Sequence, residues 1–264
     1  MNPAINNKKN RITLGCICND EEVLRKNLLA HNHSYLNDII IEKSPPSAAK
    51  GINSILELAK GNIVAIGHQD LYLPQQWFPN LLEKIATLEE TDPNWAIIGL
   101  WGCSGERFVG HIYTTGLGIE LGLPIETPIA VQTLDEVMLI INAKHGLRLD
   151  DKMRGFHLYG SDICLQAEAK GLKNYVVEAF AVHNSNGLKE LPREFWTSCK
   201  YMRKKWRANL PIKSPCTTIS SMPLHSLCQR VKRRLAKRKC NPGARIDNPS
   251  ELYRRLTSKK ATIC

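Results

Sequence analysis

Four side chains of this sequence are of kinds that bind cations or move protons: His68, Asp70, Asp162 and His183. His68-Gln69-Asp70 directly follows the apolar run NIVAIG and precedes Pro74. A carboxylate at the carboxyl end of a buried strand can hold a divalent cation, which neutralises a diphosphate leaving group. An Asp in the same place can equally cap or turn the chain ahead of the proline. Asp162 lies within GFHLYGSDICLQAEAKG, in the first turn of a helix that Ser161 is expected to cap. There the helix dipole favours the ionised form, which can accept a proton from a hydroxyl or simply stabilise the helix start. His183, in AVHNSNG, follows an expected strand; neutral imidazole is a frequent metal ligand, although a single loop histidine is usually not one. Asp135 and Glu136 form a further acidic pair before an apolar run, where a turn is also expected.

The elements that must position these groups emerge from hydrophobic periodicity. Residues 10–18 read as a strand with Ile12, Leu14, Cys16 and Cys18 on one face. Asn19, three residues before Glu22, has the spacing of a capping box opening a helix through residue 31. Residues 38–42 read as a buried strand, and 47–60 as a helix burying Ile52, Ile55, Leu56 and Ala59. Residues 62–67 are continuously apolar, as a parallel strand covered on both faces must be. A helix over 75–90, strands over 96–100, 108–113 and 137–141, a helix over 161–170, a strand over 175–182 and a helix over 193–207 complete the pattern. The expected architecture is α/β, a doubly wound mixed sheet in a single domain. In such sheets ligands bind just outside the carboxyl ends of the strands, where His68 to Asp70 fall.

Charge separates this domain from the C-terminal part of the chain. The 264 residues carry +11, but residues 225–264 hold twelve Lys or Arg against two acids, while the first 224 hold 24 against 23. The body therefore lacks the basic surface of a nucleic-acid binder. The expected organisation is an N-terminal segment over 1–9, a domain over 10–215 and a basic tail over 216–264, partly disordered or amphipathic. Within the tail Arg230, Lys232, Arg233, Arg234, Lys237, Arg238 and Lys239 surround Val231 and Leu235, with Leu227 one turn earlier. If helical, this segment suits an anionic membrane surface. A solvated tail is an equal reading, and RNA a lesser one. No run of about 18 apolar residues is present, so no spanning helix is expected. MNPAINNKKN has no apolar core of a secretory signal, and the nine cysteines show no C-x-x-C pair. A reducing, cytoplasmic setting is expected, peripheral to the membrane if the tail binds lipid.

The order strand-Asn19-helix, apolar strand-His68-Gln69-Asp70, Ser161-Asp162-helix and strand-His183 resembles the GT-A glycosyltransferases of family 2. HQDLYLP, NWAIIGLWG, GFHLYGSDICL and HNSNGL are similar to a bacterial branch of that group carrying H-Q-D. The resemblance covers residues 10–215 and implies an inverting, metal-dependent transfer of sugar from a nucleotide-diphosphate donor to a hydroxyl acceptor. It implies that Asp70 matches the metal-binding acid of D-x-D, with His68 in place of the first acid. His183 then completes an Mn2+ or Mg2+ site, and Asp162 is the base, with Ser161 replacing the usual Glu. Cys18, Asn19, Glu42 and Asn53 match positions lining the nucleotide, and Asp135 and Glu136 an acceptor-side segment. The implied acceptor is a glycan or lipid-linked molecule in surface polysaccharide or glycolipid assembly. A nucleotide-sugar-binding protein without catalysis and a nucleic-acid module acting through the tail are the alternatives.

Overall fold

The computed structural model of the chain describes residues 11–31, 35–187, 191–222, 228–229, 231 and 243–261. The segment over 1–9 and, apart from Val231, the basic run expected to be amphipathic lie outside these residues.

A seven-stranded mixed sheet forms the centre. Strands β1 (Ile12–Cys18), β2 (Leu36–Lys43) and β3 (Ile63–His68) are parallel, with β1 between the other two. On the far side of β3 lie β11 (Met138–Asn142), β5 (Trp95–Gly99), β12 (Lys173–Val176) and β9 (Ile129–Val131), in that order. Strand β11 runs antiparallel to both β3 and β5, making the sheet mixed. Alternate residues of each strand enter opposite cores, as the two-residue pleat requires. Val64, Ile66, Ile97, Leu139 and Ile141 pack on one face. Ile63, Ala65, Ile98, Met138 and Ile140 pack on the other.

Helices cover both faces. Helix α1 (Glu21–Lys26) contributes Leu24, and α3 (Trp77–Thr91) contributes Phe78, Leu81 and Ile85, to the second core. Helices α2 (Ala48–Leu58), α4 (Tyr159–Ala169) and α5 (Arg193–Lys205) join the first. Contact between α2 and β1 is so close that a Cβ on Gly15 would meet Ile55 Cγ2 at 2.5 Å. A second sheet orders β10 (Thr133–Leu134), β6 (Trp101–Ser104), β7 (Arg107–Thr114), β13 (Val182–His183) and β4 (Leu71–Tyr72), with β8 (Ile119–Gly122) also paired to β7. Residue 215, the expected domain boundary, lies within a small hairpin of β14 (Ile212–Lys213) and β15 (Thr218–Ile219). A last helix, α6 (Pro249–Ala261), directly follows Asn248, whose side-chain oxygen accepts from Glu251 N at 3.2 Å.

Several expected details differ. The cap of α1 is Asp20, not Asn19: Asp20 accepts from Val23 N at 3.1 Å, because the Asn19 side chain is held elsewhere. Strand β2 is not buried but alternates between half-buried and exposed, since it forms the sheet edge. The strand expected over 175–182 is two short strands in two sheets, β12 and β13. Helix α4 starts two residues before Ser161, which does not cap it. Leu158 stands at the cap with φ +66, and the buried Ser161 hydroxyl has no hydrogen-bond partner. Among the described residues no helix is long and apolar enough to cross a membrane.

Candidate metal and donor site

The chain leaves β3 at His68, turns through Gln69 and Asp70, and enters β4 at Leu71. Strand β13 pairs antiparallel with β4, so His183 lies opposite Leu71, and Asn184 N donates to the Asp70 carbonyl at 2.8 Å. Two short paired strands thus bring together residues more than a hundred positions apart. His183 Nε2 stands 3.3 Å from Asp70 Oδ1, and the His68 and His183 rings are 5.6 Å apart. One potential ligand atom from each of His68, Asp70 and His183 lies within 4.8 Å of the others. Among the described residues this is the group of three or more such side chains able to hold a metal ion.

The electrostatics of the three groups differ. Burial would raise the Asp70 carboxyl, but the hydrogen bond and charge of His183, with His68 and Arg245, hold it well below the usual carboxylate range. Burial pulls His183 down, yet its bond to Asp70 and that charge raise it overall. His68 is lowered, with burial outweighing the nearby Asp70 and Asp135. An ionised carboxylate and a neutral imidazole are the forms that ligate a cation, so a cation would compete with protonation of His183. Two imidazoles and one carboxylate suit Mn2+ better than Mg2+, which prefers an all-oxygen shell. The residues therefore fit a divalent ion.

Gln69, between the two ligand candidates, faces β1. Its Oε1 accepts from Asn19 N at 2.9 Å and Asp20 N at 3.1 Å, and its Nε2 donates to Asn19 Oδ1 at 2.7 Å. The first-strand loop is thereby tied to the turn that carries His68 and Asp70. Cys18 is buried in the second core, so Asn19 is the residue of this pair that is exposed. On the other flank Tyr159 Oη is 3.4 Å from His68 Nε2, and His68 N donates to the Val137 carbonyl at 3.0 Å. That carbonyl lies just after Asp135 and Glu136. Asp135 accepts from Val137 N at 3.0 Å, and Glu136 Oε1 accepts from Gly160 N, in the first turn of α4, at 3.2 Å. Burial first, then the charge of Asp135, pushes the Glu136 carboxyl up to about 8.

Other expected site residues are engaged elsewhere. Asp162, expected as the base, is buried and faces α5. It accepts from Trp206 Nε1 at 2.7 Å, Gln166 Nε2 at 2.8 Å and Lys205 Nζ at 2.8 Å. These donors occupy both of its oxygens and join α4 to the end of α5. Asn53 holds the loop after β11, donating to the Leu149 carbonyl and Asp151 Oδ1 at 2.9 Å each and accepting from Leu149 N at 2.8 Å. Glu42, at the half-exposed edge strand, accepts from the Ser54 hydroxyl.

Arg245 was not among the expected residues. Its Nη2 lies 3.4 Å from Asp70 Oδ2, and its Nε donates to the Asn184 carbonyl at 3.0 Å. Ile246 N donates to Asn184 Oδ1, and Asn184 Nδ2 donates to the Ile246 carbonyl, each at 2.9 Å. Gly243 bonds Gly116 and Gly187 through its backbone, so near the core that a Cβ would meet the Thr115 carbonyl at 2.0 Å. Tyr253 of α6 packs 6.0 Å from Tyr72 and 5.7 Å from Phe180. Residues from the expected tail thus cover the edge of the sheet that bears Asp70.

No protein-family model matches the sequence. A curated protein of Fuscovulum blasticum, ATP synthase subunits region ORF 6, is 28% identical over 162 residues, which are 60% of this chain. The match spans 64% of that relative's length. Among solved structures, GalNAc-T7, crystallised with UDP, GalNAc and Mn2+, superposes with a TM-score of 0.52 at 10% identity. That superposition covers 76% of this chain and 49% of the other. The mannosyltransferase PcManGT of Pyrobaculum calidifontis, in complex with GDP-Man and Mn2+, gives 0.46 at 12% identity, covering 86% and 71%. The fold of this chain is that of the GT-A glycosyltransferases.

Proposed function

We propose that this protein is a metal-dependent glycosyltransferase acting on a nucleotide-diphosphate sugar, with inversion at the anomeric carbon. The observation that carries this is the meeting of His68, Asp70 and His183 at the carboxyl end of β3, within a GT-A fold. Those three residues hold the ion, for which Mn2+ is the better fit. When bound, the ion offsets the charge that develops on a departing diphosphate. Asn19, fixed by Gln69, faces the nucleotide. The Asp135–Glu136 pair, rather than Asp162, takes the proton from the acceptor hydroxyl. The elevated Glu136 carboxyl is a stronger base, once ionised, than an ordinary carboxylate. A glycan or lipid-linked acceptor fits the basic run over 230–239, which suits an anionic bilayer. Neutralising that run should abolish salt-sensitive sedimentation with anionic vesicles while leaving donor binding intact.

The deciding experiment is a thermal-shift screen of UDP-, GDP- and dTDP-sugars with and without Mn2+. A ligand that binds only the native state must raise its melting temperature. Stabilisation that needs both sugar nucleotide and metal supports the proposal, and no stabilisation by any pair sinks it. The engagement of Asp162 favours a second reading, a nucleotide-sugar-binding protein without turnover. Metal-dependent binding with no transfer or hydrolysis across a broad acceptor set would favour it.

A further inference from the structure

Arg245 and any metal ion held by His68, Asp70 and His183 need the same carboxylate. The guanidinium Nη2 stands 3.4 Å from Asp70 Oδ2, and Asp70 Oδ1 faces His183 at 3.3 Å. With no other ligand present, a divalent cation on Asp70 meets a fixed positive charge within a few ångströms, in a setting only partly open to water. Such like charges repel, so Arg245 opposes the bare metal. The Arg245 side chain is tethered, its Nε donating to the Asn184 carbonyl at 3.0 Å, and its backbone is anchored as well. Its backbone N donates to Asn186 Oδ1 at 3.1 Å, and the next residue is locked by the paired bonds between Ile246 and Asn184. Asn184 is itself buried and held by Asn27 at 2.9 Å.

An arriving diphosphate reverses the balance. It brings several negative charges to the metal, and a guanidinium fork held beside that ion then becomes a bidentate partner for phosphate oxygens. We infer that Arg245 couples the two ligands: it weakens binding of the metal alone and strengthens binding of the nucleoside diphosphate with the metal. This rests on the metal site proposed above and adds a residue from beyond the sheet, carried on the chain segment between Gly243 and α6. The consequence is cooperative loading, in which metal and diphosphate each favour the other's binding.

The test uses the full chain, as wild type, Arg245→Ala and Arg245→Gln; the Gln variant removes the charge while keeping an amide donor for the Asn184 carbonyl. Mn2+ affinity is measured by electron paramagnetic resonance without nucleotide. The affinities of UDP, GDP and dTDP are then measured by calorimetry at fixed Mn2+. Both variants should bind Mn2+ alone about fivefold more tightly and the nucleoside diphosphate about tenfold more weakly, opposite shifts typical of a coupling residue. An anchoring role alone would move both affinities together or neither, and that result overturns the coupling. Mn2+ bound by wild type but unaffected by either variant overturns it while leaving the metal site standing. Failure of wild type and both variants to bind Mn2+ at all removes the metal site and the coupling together.

Discussion

Asp70 and Asp162 are both withdrawn from solvent, with side chains 15% and 2% exposed, yet the groups around them differ in kind. Asp162 is met by an indole N–H, an amide and an ammonium, all on α4 and α5 or directly after them. The indole N–H and the ammonium cannot ligate a metal in their ordinary states, the amide turns its N–H rather than its oxygen to Asp162, and together the three occupy both carboxylate oxygens. Asp70 is met by two imidazoles able to ligate and by an arginine 175 positions away in sequence. A buried acid at a helix start therefore says little about chemistry; the identity of its partners decides.

Asp70→Asn should break the comparison most severely. Mn2+-dependent nucleotide binding should vanish and transfer should fall by about 10³-fold, the scale of losing a principal electrostatic stabiliser. Calorimetry and a transfer assay check this. Asp135→Asn and Glu136→Gln should each lower transfer by roughly 10²-fold while sparing donor affinity. Retained transfer in both would remove the pair as the base.

Asp162→Asn should act on stability instead. It leaves Lys205 facing one fewer charge, although Asp150 still pairs with that lysine at 2.7 Å. A loss of roughly 2–3 kcal/mol is expected, lowering the melting temperature by roughly 5–10 °C, with Mn2+ affinity unchanged. A large loss of transfer without loss of stability would reverse the roles assigned to the two carboxylates.

The pH profile sharpens the contrast further. Because the Glu136 carboxyl is raised to about 8, it holds its proton below that pH and cannot accept another. Transfer should climb as pH rises through about 8, and Glu136→Gln should flatten the climb. The same shift makes the native state bind a proton that the unfolded chain has released. This stabilising contribution therefore falls as pH rises from the usual carboxylate range to about 8. The smallest effect is expected from Gln69→Ala: nucleotide affinity falls roughly fivefold, the scale of one lost hydrogen bond, and affinity for Mn2+ alone stays put.

The central sheet was legible because its signals are local. The run from Ile63 to Gly67 has to be a doubly covered strand, and Ser47 at the start of an amphipathic stretch does cap α2. His68, Asp70 and His183 could be placed at strand ends on the same grounds. The partners of Asp162 could not, because Lys205 and Trp206 reach it only through the packing of α5 against α4. Arg245 was hidden by distance, in a stretch without apolar periodicity. A signal was nevertheless present beside it: Asn248, Pro249 and Glu251 are a cap, a first-turn proline and a first-turn acid. Reading them as a helix start would have shown a further helix beyond residue 248, able to pack against the body.

Gln69 makes His68-Gln69-Asp70 a two-sided unit. Its outer letters are the candidate metal ligands, while the middle one works as a latch for a loop fifty residues earlier. In evolutionary terms, positions 19 and 69 are expected to drift together, since their side-chain amides pair with each other, whereas the backbone donors of 19 and 20 are present whatever residues stand there. In engineering terms, moving the three-residue motif onto another scaffold would carry two of the three candidate ligands but leave behind His183 and the loop that Gln69 holds, so the transplant would keep neither the metal site nor the nucleotide loop.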